Sequence, residues 1–234
     1  MIPVSSTRHD HWPLTNPADV AELADGEVHA WWCVGGSEAV VQRRRYLDAL
    51  LQRLLGAYVD EDSDALRLGR EERGRPFLAD AHGKPRSPDF NLSDSAGHSL
   101  VLVSRTLRVG VDVERSNRRL RHRELAERYF APEEAAAINA MDDEAGKQHF
   151  LQLWTAKEAA CKATGTGLGG HMHRWAFAIN EGNPTPRNIP DEAGTADDWR
   201  FLTLKLPEDG FLATIALRGR FERLRLFRLE DSGT

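Results

Sequence analysis

The chain has few cysteines, no long apolar run and no excess of positive charge. With only Cys33 and Cys161 among its 234 residues, no paired spacing exists for a zinc site or a disulfide framework, so a reducing cytoplasm is the expected location. No apolar run is long enough for a membrane span, and the start, MIPVSSTRHDHWPL, lacks the basic and apolar parts of a signal peptide. A formal net charge of -5 argues against general nucleic-acid binding. We therefore expect a soluble protein without membrane or nucleic-acid partners.

Lysine is also scarce, and its distribution is uneven. Only five of the 31 basic residues are lysines, at positions 84, 147, 157, 162 and 205, and the other 26 are arginines. Two of the five, Lys157 and Lys162, fall within one window of six residues. A chain that uses arginine for nearly every surface cation, yet places two lysines so close together, is expected to need ammonium groups there.

Two short segments carry acidic residues with regular spacing. In VGVDVE, Asp112 and Glu114 alternate with valines, which predicts a strand with both carboxylates on one face. In LWTAKEAACK, Trp154, Glu158 and Lys162 recur every four residues, which predicts one stripe on a helix. Three carboxylates and an ammonium facing a common point suit magnesium, a hard cation that shares its coordination sphere with water and substrate phosphates.

Each segment also has a simpler interpretation. An Asp and a Glu two residues apart on a strand are typical of a solvated sheet face. Glu158 and Lys162 are spaced like an ordinary surface ion pair on a helix, worth only about 0.2–0.5 kcal/mol. The clustering of two rare lysines favours the functional interpretation.

Together the two segments resemble the signature of the 4′-phosphopantetheinyl transferases, in particular the larger, pseudo-dimeric type whose prototype activates surfactin synthetase. Three further stretches fit in the same order: GRP at 74–76, FNLSDS at 90–95 and RYFAPEE at 128–134. The resemblance covers about residues 43–168. Its two acidic motifs are specific because they occur in combination.

The resemblance implies a transferase that moves the phosphopantetheine arm of coenzyme A to a serine of an apo acyl, peptidyl or aryl carrier protein and releases 3′,5′-ADP. It implies that Asp112, Glu114 and Glu158 hold magnesium at the pyrophosphate. Glu158, or a water that it orients, is then the base for the carrier serine, and Lys162 stabilises or protonates the leaving phosphate. Lys157 is expected to contact phosphate or an acidic surface without taking part in bond making.

The resemblance also assigns residues that bind coenzyme A. Arg43, at the start of the predicted N-terminal helix, matches an arginine for the 3′-phosphate. Arg75 matches the cation of a Gly-Lys-Pro motif because it follows a strand-like run, and Lys84, in a second Gly-Lys-Pro match, is the alternative. Lys162 is expected at the phosphates. Ser93 is expected to contact phosphate, with a turn cap at a strand end as the other interpretation.

Asp94 stands where the family usually has histidine. A carboxylate cannot bind a phosphate directly, because two anions repel and an ionised carboxylate donates no hydrogen bond. Either Asp94 organises an arginine of the cluster at 43–45, or the 3′-phosphate is held less firmly here than in relatives. Because spacing alone identifies no partner for Asp94, we expect the second.

A run of arginines at 115, 118, 119, 121 and 123 directly follows the acidic strand. Such a run is typical of a solvated face, and it also suits the acidic helix of a carrier protein that it would steer to the metal. The sequence does not identify the carrier or its pathway.

Two other functions remain open from the sequence. One is another magnesium-dependent phosphoryl or nucleotidyl transferase, and the other is an inactive carrier-binding module of the same fold. An inactive module is expected to have lost at least one acidic-motif residue or Lys162, and all are present.

The predicted fold class is α+β, with two similar α/β lobes that form a pseudo-dimer and an active site at their interface. We place the N-terminal lobe, on the 3′-phosphate side, at 1–110 and the C-terminal lobe, with the metal site, at 111–234, and we expect a monomer. Helices are predicted at 37–58, 119–129, 132–141 and 147–164, and strands at 28–34, 175–180, 199–206 and 211–217. Residues 99–104 and 108–114 are predicted to pair as a hairpin, and 65–78 to form a strand pair around Arg73 and Gly74. Residues 181–198 are predicted to form a surface loop and 1–25 an irregular arm.

Overall fold

The computed structural model describes residues 11–20, 22–36, 40–59, 61–62, 65–167 and 171–229. Residues 1–10 and 21 of the predicted arm at 1–25 therefore lie outside the described residues. The elements are β1 (Leu14–Thr15), β2 (Glu27–Val34), α1 (Val40–Val59), β3 (Arg67–Arg70), β4 (Pro76–Ala79), β5 (Asp89–Ser95), β6 (His98–Ser104), β7 (Arg108–Arg115), α2 (His122–Tyr129), α3 (Pro132–Ala140), α4 (Asp143–Thr164), β8 (Ala176–Asn180), β9 (Asn183–Asn188), β10 (Trp199–Leu204), β11 (Phe211–Arg218) and β12 (Arg223–Leu229).

Two sheets form the centre of the molecule. One has five strands in the order β1-β12-β2-β6-β5, the other has three in the order β10-β11-β7, and two further hairpins pair β3 with β4 and β8 with β9. The leucines of α1 pack on one face of the five-stranded sheet, and α4 packs on one face of the three-stranded sheet. The remaining faces of the two sheets share a core. The α+β class with two halves of similar build, each a helix on a sheet, is confirmed.

Strand β7 carries the alternation that the sequence predicts. Val109, Val111 and Val113 are buried in the core between the two sheets, where each contributes about 1.5–3 kcal/mol of hydrophobic stabilisation. Gly110 and Asp112 point the other way, toward α4. A Cβ atom at Gly110 would collide with the backbone of α4 at Ala159 and Ala163, so glycine is required for this close approach.

Helix α4 has defined ends that place its active face. At its start, Asp142 accepts a hydrogen bond from the backbone N–H of Ala145 at 2.9 Å. At its end, Gly165 adopts a left-handed conformation with φ 72° and donates its N–H to the carbonyl of Cys161. Among the described residues, no helix has the length and apolar character needed to cross a membrane.

The predicted hairpin of residues 99–114 is wrong. β6 pairs with β2 and β5, whereas β7 pairs antiparallel with β11, about a hundred residues further along the chain. The short connection between β6 and β7 therefore crosses from one sheet to the other. Alternation of apolar and polar residues predicts a strand and its buried face, but it does not identify the partner strand.

Four observed strands were not predicted: β1, β5, β9 and β12. β9 lies within the predicted loop of residues 181–198. β12 runs parallel to β2 inside the five-stranded sheet, so the end of the chain joins the sheet of the N-terminal half. The predicted division at residue 110 falls within β7 and does not anticipate this return.

Candidate active site

Asp112 and Lys162 meet where β7 lies against α4. The Nζ atom of Lys162 is 2.7 Å from Oδ1 of Asp112, and the Asp112 side chain is buried. The close approach at Gly110 brings the strand and the helix into this position. The strand face and the helix stripe that the sequence predicts therefore face each other.

The other two acidic residues lie within electrostatic reach of Asp112. Glu158 is buried one helical turn before Lys162, and burial together with the charge of Asp112 raises its pKa to about 7, against the opposing effect of Lys162. Burial, again with the charge of Asp112, raises the pKa of Glu114. Three carboxylates thus share one region, and burial together with the charge of Asp112 makes Glu114 and Glu158 harder to ionise.

Glu114 has a partner that the sequence analysis missed. Arg118 donates from Nη1 to Oε2 of Glu114 at 2.8 Å. One member of the arginine run therefore belongs to the acidic site. The four-residue spacing from Glu114 to Arg118 was the available signal. Such spacing is usually informative within a helix, and neither residue lies in one.

The acidic residues suit a hard cation by their chemistry. Oδ2 of Asp112 is buried and has no hydrogen-bond partner among the described residues, so it is a free acceptor beside two further carboxylates. Within the described parts of the chain, however, no three His, Cys, Asp or Glu side chains are assembled as a ready metal-binding group. The unpartnered oxygen suits magnesium, which binds carboxylate oxygens and completes its coordination sphere with water and phosphate oxygens.

Ser93 contacts the acidic site instead of an open phosphate position. Its Oγ donates to Oδ1 of Asp112 at 3.0 Å, and it accepts hydrogen bonds from Lys162 at 2.9 Å and from the backbone N–H of Val113 at 3.1 Å. A hydroxyl has one donor and two acceptor sites, so its capacity is used. In this arrangement Ser93 orients Asp112 and Lys162, and its expected contact with phosphate stays a prediction.

Arg75 links the two halves of the molecule. Its guanidinium makes two hydrogen bonds to Asp89, at 3.0 and 2.8 Å, and it also donates to the carbonyls of Lys162 and Val109 at 2.8 and 2.9 Å. The side chain is buried and these bonds occupy most of its donors. In this structure Arg75 holds the last turn of α4, and its expected contact with coenzyme A stays a prediction. The alternative, Lys84, lies in an exposed loop.

Lys157 is buried away from the acidic site. Its ammonium forms an ion pair with Glu134 of α3 at 2.6 Å, donates to the carbonyls of Met172 and Trp175, and lies 4.8 Å from the ring centre of Phe130. The side chain has no exposed surface. The expectation that Lys157 contacts phosphate or an acidic surface is therefore wrong, because successive residues on a helix point about 100° apart and only Glu158 faces β7.

Asp94 has a partner. Arg43 donates to its carboxylate, and the same guanidinium also donates to Ser99 Oγ at 2.8 Å and to the carbonyl of Gly35. The arrangement matches the first of the two alternatives for Asp94, in which it organises an arginine of the cluster at 43–45. The alternative that we expected, a less firmly held 3′-phosphate, stays a prediction. Arg43 is buried and already donates to these three acceptors. To contact a 3′-phosphate as predicted, its guanidinium would have to bind the phosphate and Asp94 together.

Two neighbouring cavities lead to the acidic site. One, of about 250 Å³, is lined by Glu158, Lys162 and Asn91 among others. The other, of about 560 Å³, lies between α1, the β3-β4 hairpin and β5, and exposed Arg44 and Arg70 line it together with leucines. Pro76 and Leu92 line both cavities, so they form adjoining parts of one groove with cations at one end and the carboxylates at the other.

Sequence comparisons agree with this site. The profile of the 4′-phosphopantetheinyl transferase superfamily matches residues 108–216, which include β7, α4 and all four acidic-site residues. The chain is 32% identical to the 4′-phosphopantetheinyl transferase HetI of Nostoc sp. over 76% of its own length and 72% of that protein.

Two more distant relatives carry the same kind of name. The chain is 25% identical to the 4′-phosphopantetheinyl transferase Sfp of Bacillus subtilis, over 62% of this chain and 61% of Sfp. It is 26% identical to the L-aminoadipate-semialdehyde dehydrogenase-phosphopantetheinyl transferase of Rattus norvegicus, over 72% of this chain and 59% of that protein. The matched parts thus span about three fifths of each of these two relatives. With HetI matched over most of both chains and the profile covering the acidic site, this chain belongs to the 4′-phosphopantetheinyl transferase superfamily.

Proposed function

We propose that this protein transfers the 4′-phosphopantetheine arm of coenzyme A to a serine of an apo carrier protein and releases 3′,5′-ADP. The observation that carries the proposal is the meeting of Asp112 with Lys162 at the seam of the two halves, beside buried Glu158. Family membership through HetI supports the same reaction. The adjoining cavities, with exposed arginines at one end, offer coenzyme A a groove that ends at the carboxylates.

Asp112, Glu114 and Glu158 are the proposed magnesium ligands. Bound magnesium would neutralise negative charge on the pyrophosphate, which is the principal electrostatic demand of phosphoryl-type transfer. The unpartnered Oδ2 of Asp112 supports this assignment, and so do the raised pKa values of Glu114 and Glu158, because burial and the charge of Asp112 produce them and a bound cation would offset both effects. Lys162 supplies one positive charge to the same region.

The chain's own residues then divide the proton transfers. The serine oxygen attacks the phosphorus that bears the pantetheine arm, the bond from that phosphorus to the bridging oxygen breaks, and the serine proton passes to Glu158 or to a water that Glu158 orients. Lys162 donates a hydrogen bond or a proton to the leaving phosphate, and Ser93 keeps its ammonium in place.

The carrier protein is proposed to approach over the arginine run. Arg118 is engaged with Glu114, and Arg123 donates to the carbonyls of Asn139 and Met141, so these two have structural partners. Arg119 and Arg121 are exposed, and Arg121 forms a surface ion pair with Glu124 at 3.1 Å. At these exposed positions both can attract an acidic carrier helix. Rim charges of this kind act mainly on the rate of encounter and on its salt dependence.

Intact mass spectrometry tests the proposal directly. The purified protein is incubated with coenzyme A, magnesium and a panel of apo acyl, peptidyl and aryl carriers. The mass of each carrier is then measured to detect the added phosphopantetheine arm. A gain on at least one carrier, absent without magnesium, supports the function. No gain on any carrier, with HetI modifying the same panel as control, would favour the inactive carrier-binding module, and consumption of another nucleotide would favour a different transferase.

A further inference from the structure

Strands β5 and β7 are edge strands that lie side by side without a backbone ladder. β5 is the last strand of the five-stranded sheet and pairs only with β6, and β7 is the last strand of the three-stranded sheet and pairs only with β11, as far as the described residues show. The N–H groups on the free edge of β7 therefore need other acceptors, since buried backbone donors are costly to leave unpaired.

Side chains of β5 supply these acceptors at regular intervals. The backbone N–H groups of β7 at 109, 111 and 113 donate, at 2.9, 2.9 and 3.1 Å, to the side-chain oxygens of Asp89, Asn91 and Ser93, respectively. Each pair is separated by 20 residues, and both strands have a side-chain period of two, so three successive contacts repeat with one geometry. We refer to these three contacts as the seam ladder.

The seam ladder ends in the acidic site. Val111 and Val113 flank Asp112, so the contacts at Asn91 and Ser93 fix the backbone on either side of the carboxylate. Ser93 also contacts Asp112 and Lys162 directly. Asn91 is buried and touches neither, but it lines the same cavity as Glu158 and Lys162.

We propose that Asn91 is a positioning residue for the transfer reaction. Its Oδ1 accepts a hydrogen bond from the N–H of Val111 and thereby fixes the position of the neighbouring Asp112 relative to Lys162 and Glu158. This inference rests on the proposed function and deepens it, because it assigns to the FNLSDS motif the task of placing the acidic strand. Small displacements of a reacting group are costly, with about 1 Å sufficient for a hundredfold loss of rate.

A purely structural role for Asn91 is the competing explanation, and the chain offers a matched control. Asn183 accepts a hydrogen bond on Oδ1 from the backbone N–H of Thr203 at 2.9 Å, also across 20 residues, between β9 and β10. This contact has the same chemistry and distance but lies outside the acidic site. Asn183→Leu therefore measures what the loss of such a bond does to the fold alone.

The test compares Asn91→Leu with Asn183→Leu, using coenzyme A, magnesium and an apo carrier that the wild-type protein modifies. For Asn91→Leu we expect kcat to fall about 10- to 100-fold and the magnesium concentration for half-maximal rate to rise, with the KM for coenzyme A changed less than about threefold. Asn183→Leu is expected to keep kcat and the magnesium requirement. A second readout needs no turnover: the rise in melting temperature on adding magnesium and coenzyme A is expected to shrink only in Asn91→Leu.

Several results would overturn the inference. Equal effects of the two substitutions on kcat, or an Asn91→Leu variant with wild-type kcat and wild-type stabilisation by magnesium and coenzyme A, would reduce Asn91 to a structural residue. If Asn91→Leu does not fold, Asn91→Ala, which has no side-chain acceptor for the N–H of Val111, is judged by the same criteria. A wild-type protein that modifies no carrier would refute the proposed function and this inference with it, whereas equality of the variants refutes the inference alone.

Discussion

Replacing Lys157 by methionine separates the two roles that a lysine beside Glu158 could have. The buried Lys157 ammonium is bound by Glu134 and two backbone carbonyls, and Glu134 in turn accepts hydrogen bonds from the N–H groups of Ala131 and Phe177. Methionine keeps the length and helix preference of the side chain and removes its charge. The carboxylate of Glu134 is then buried without a cation.

The expected loss of stability follows from that unpaired charge. Removing one partner of a buried ion pair costs about 3–5 kcal/mol, far more than the net worth of the pair itself. For a chain of this size, each kcal/mol lowers the melting temperature by about 2–4 °C, so Lys157→Met is expected to lower it by about 6–20 °C. A phosphate-binding lysine would instead be expected to alter the KM for coenzyme A with little change in stability.

Urea unfolding followed by circular dichroism measures the free energy of unfolding, and carrier modification measures the KM for coenzyme A. Lys147→Met, in the same helix at a partly exposed position, is the control and is expected to change stability by less than about 0.5 kcal/mol. Adding Glu134→Gln to Lys157→Met should recover part of the loss, since the unpaired charge is removed. A stable Lys157→Met variant with a raised KM would refute the structural role.

Three further predictions concern the metal, the carrier and pH. Asp112→Asn is expected to lower carrier modification by at least about a hundredfold while circular dichroism shows a folded protein, and full activity in this variant or with chelator present would contradict the metal assignment. Arg119→Ala combined with Arg121→Ala keeps the contact of Arg118 with Glu114. It is expected to raise the KM for the carrier and weaken its salt dependence without changing the KM for coenzyme A. An unchanged carrier KM at low salt would show that these arginines form only an ordinary solvated surface. Burial, reinforced by Arg225, lowers the pKa of His29 from 6.5 to about 4 against the effect of Glu27. Between pH 6.5 and about 4, His29 is therefore protonated in the unfolded chain but neutral in the folded protein. Up to about 3 kcal/mol of stability that is present above pH 6.5 is lost as the pH falls through this range. His29→Gln should flatten this part of the urea-derived stability profile, and parallel profiles would contradict it.

The local part of the site was predictable because its signals are short-range. The alternation around Asp112 and the four-residue spacing of Glu158 and Lys162 depend on strand and helix geometry alone, and the structure brings both together. The hairpin of 99–114 failed for the opposite reason, since the partner of β7 is set by contacts with β11 that no local pattern encodes.

The roles of the basic residues and of β5 depend on the three-dimensional surroundings. Family resemblance assigned Arg75 and Ser93 to the cofactor, whereas their hydrogen bonds join the two halves of the molecule. One sequence signal was available: Asp89, Asn91 and Ser93 alternate with apolar residues, which is strand periodicity. The adjacency of Lys157 and Glu158 was another, because neighbours on a helix cannot face one site.

The choice between lysine and arginine at the seam follows from the shape of each set of acceptors. Lys157 meets three acceptors that surround one point, Glu134 and the carbonyls of Met172 and Trp175, and an ammonium has three donors that diverge from one atom. Lys162 likewise serves Ser93 and Asp112 from a single nitrogen. Asp89, by contrast, presents two oxygens side by side, and the planar fork of Arg75 matches them. The use of lysine instead of arginine therefore has a geometric cause at both positions. Only one of the two ammonium groups, that of Lys162, lies in the acidic site.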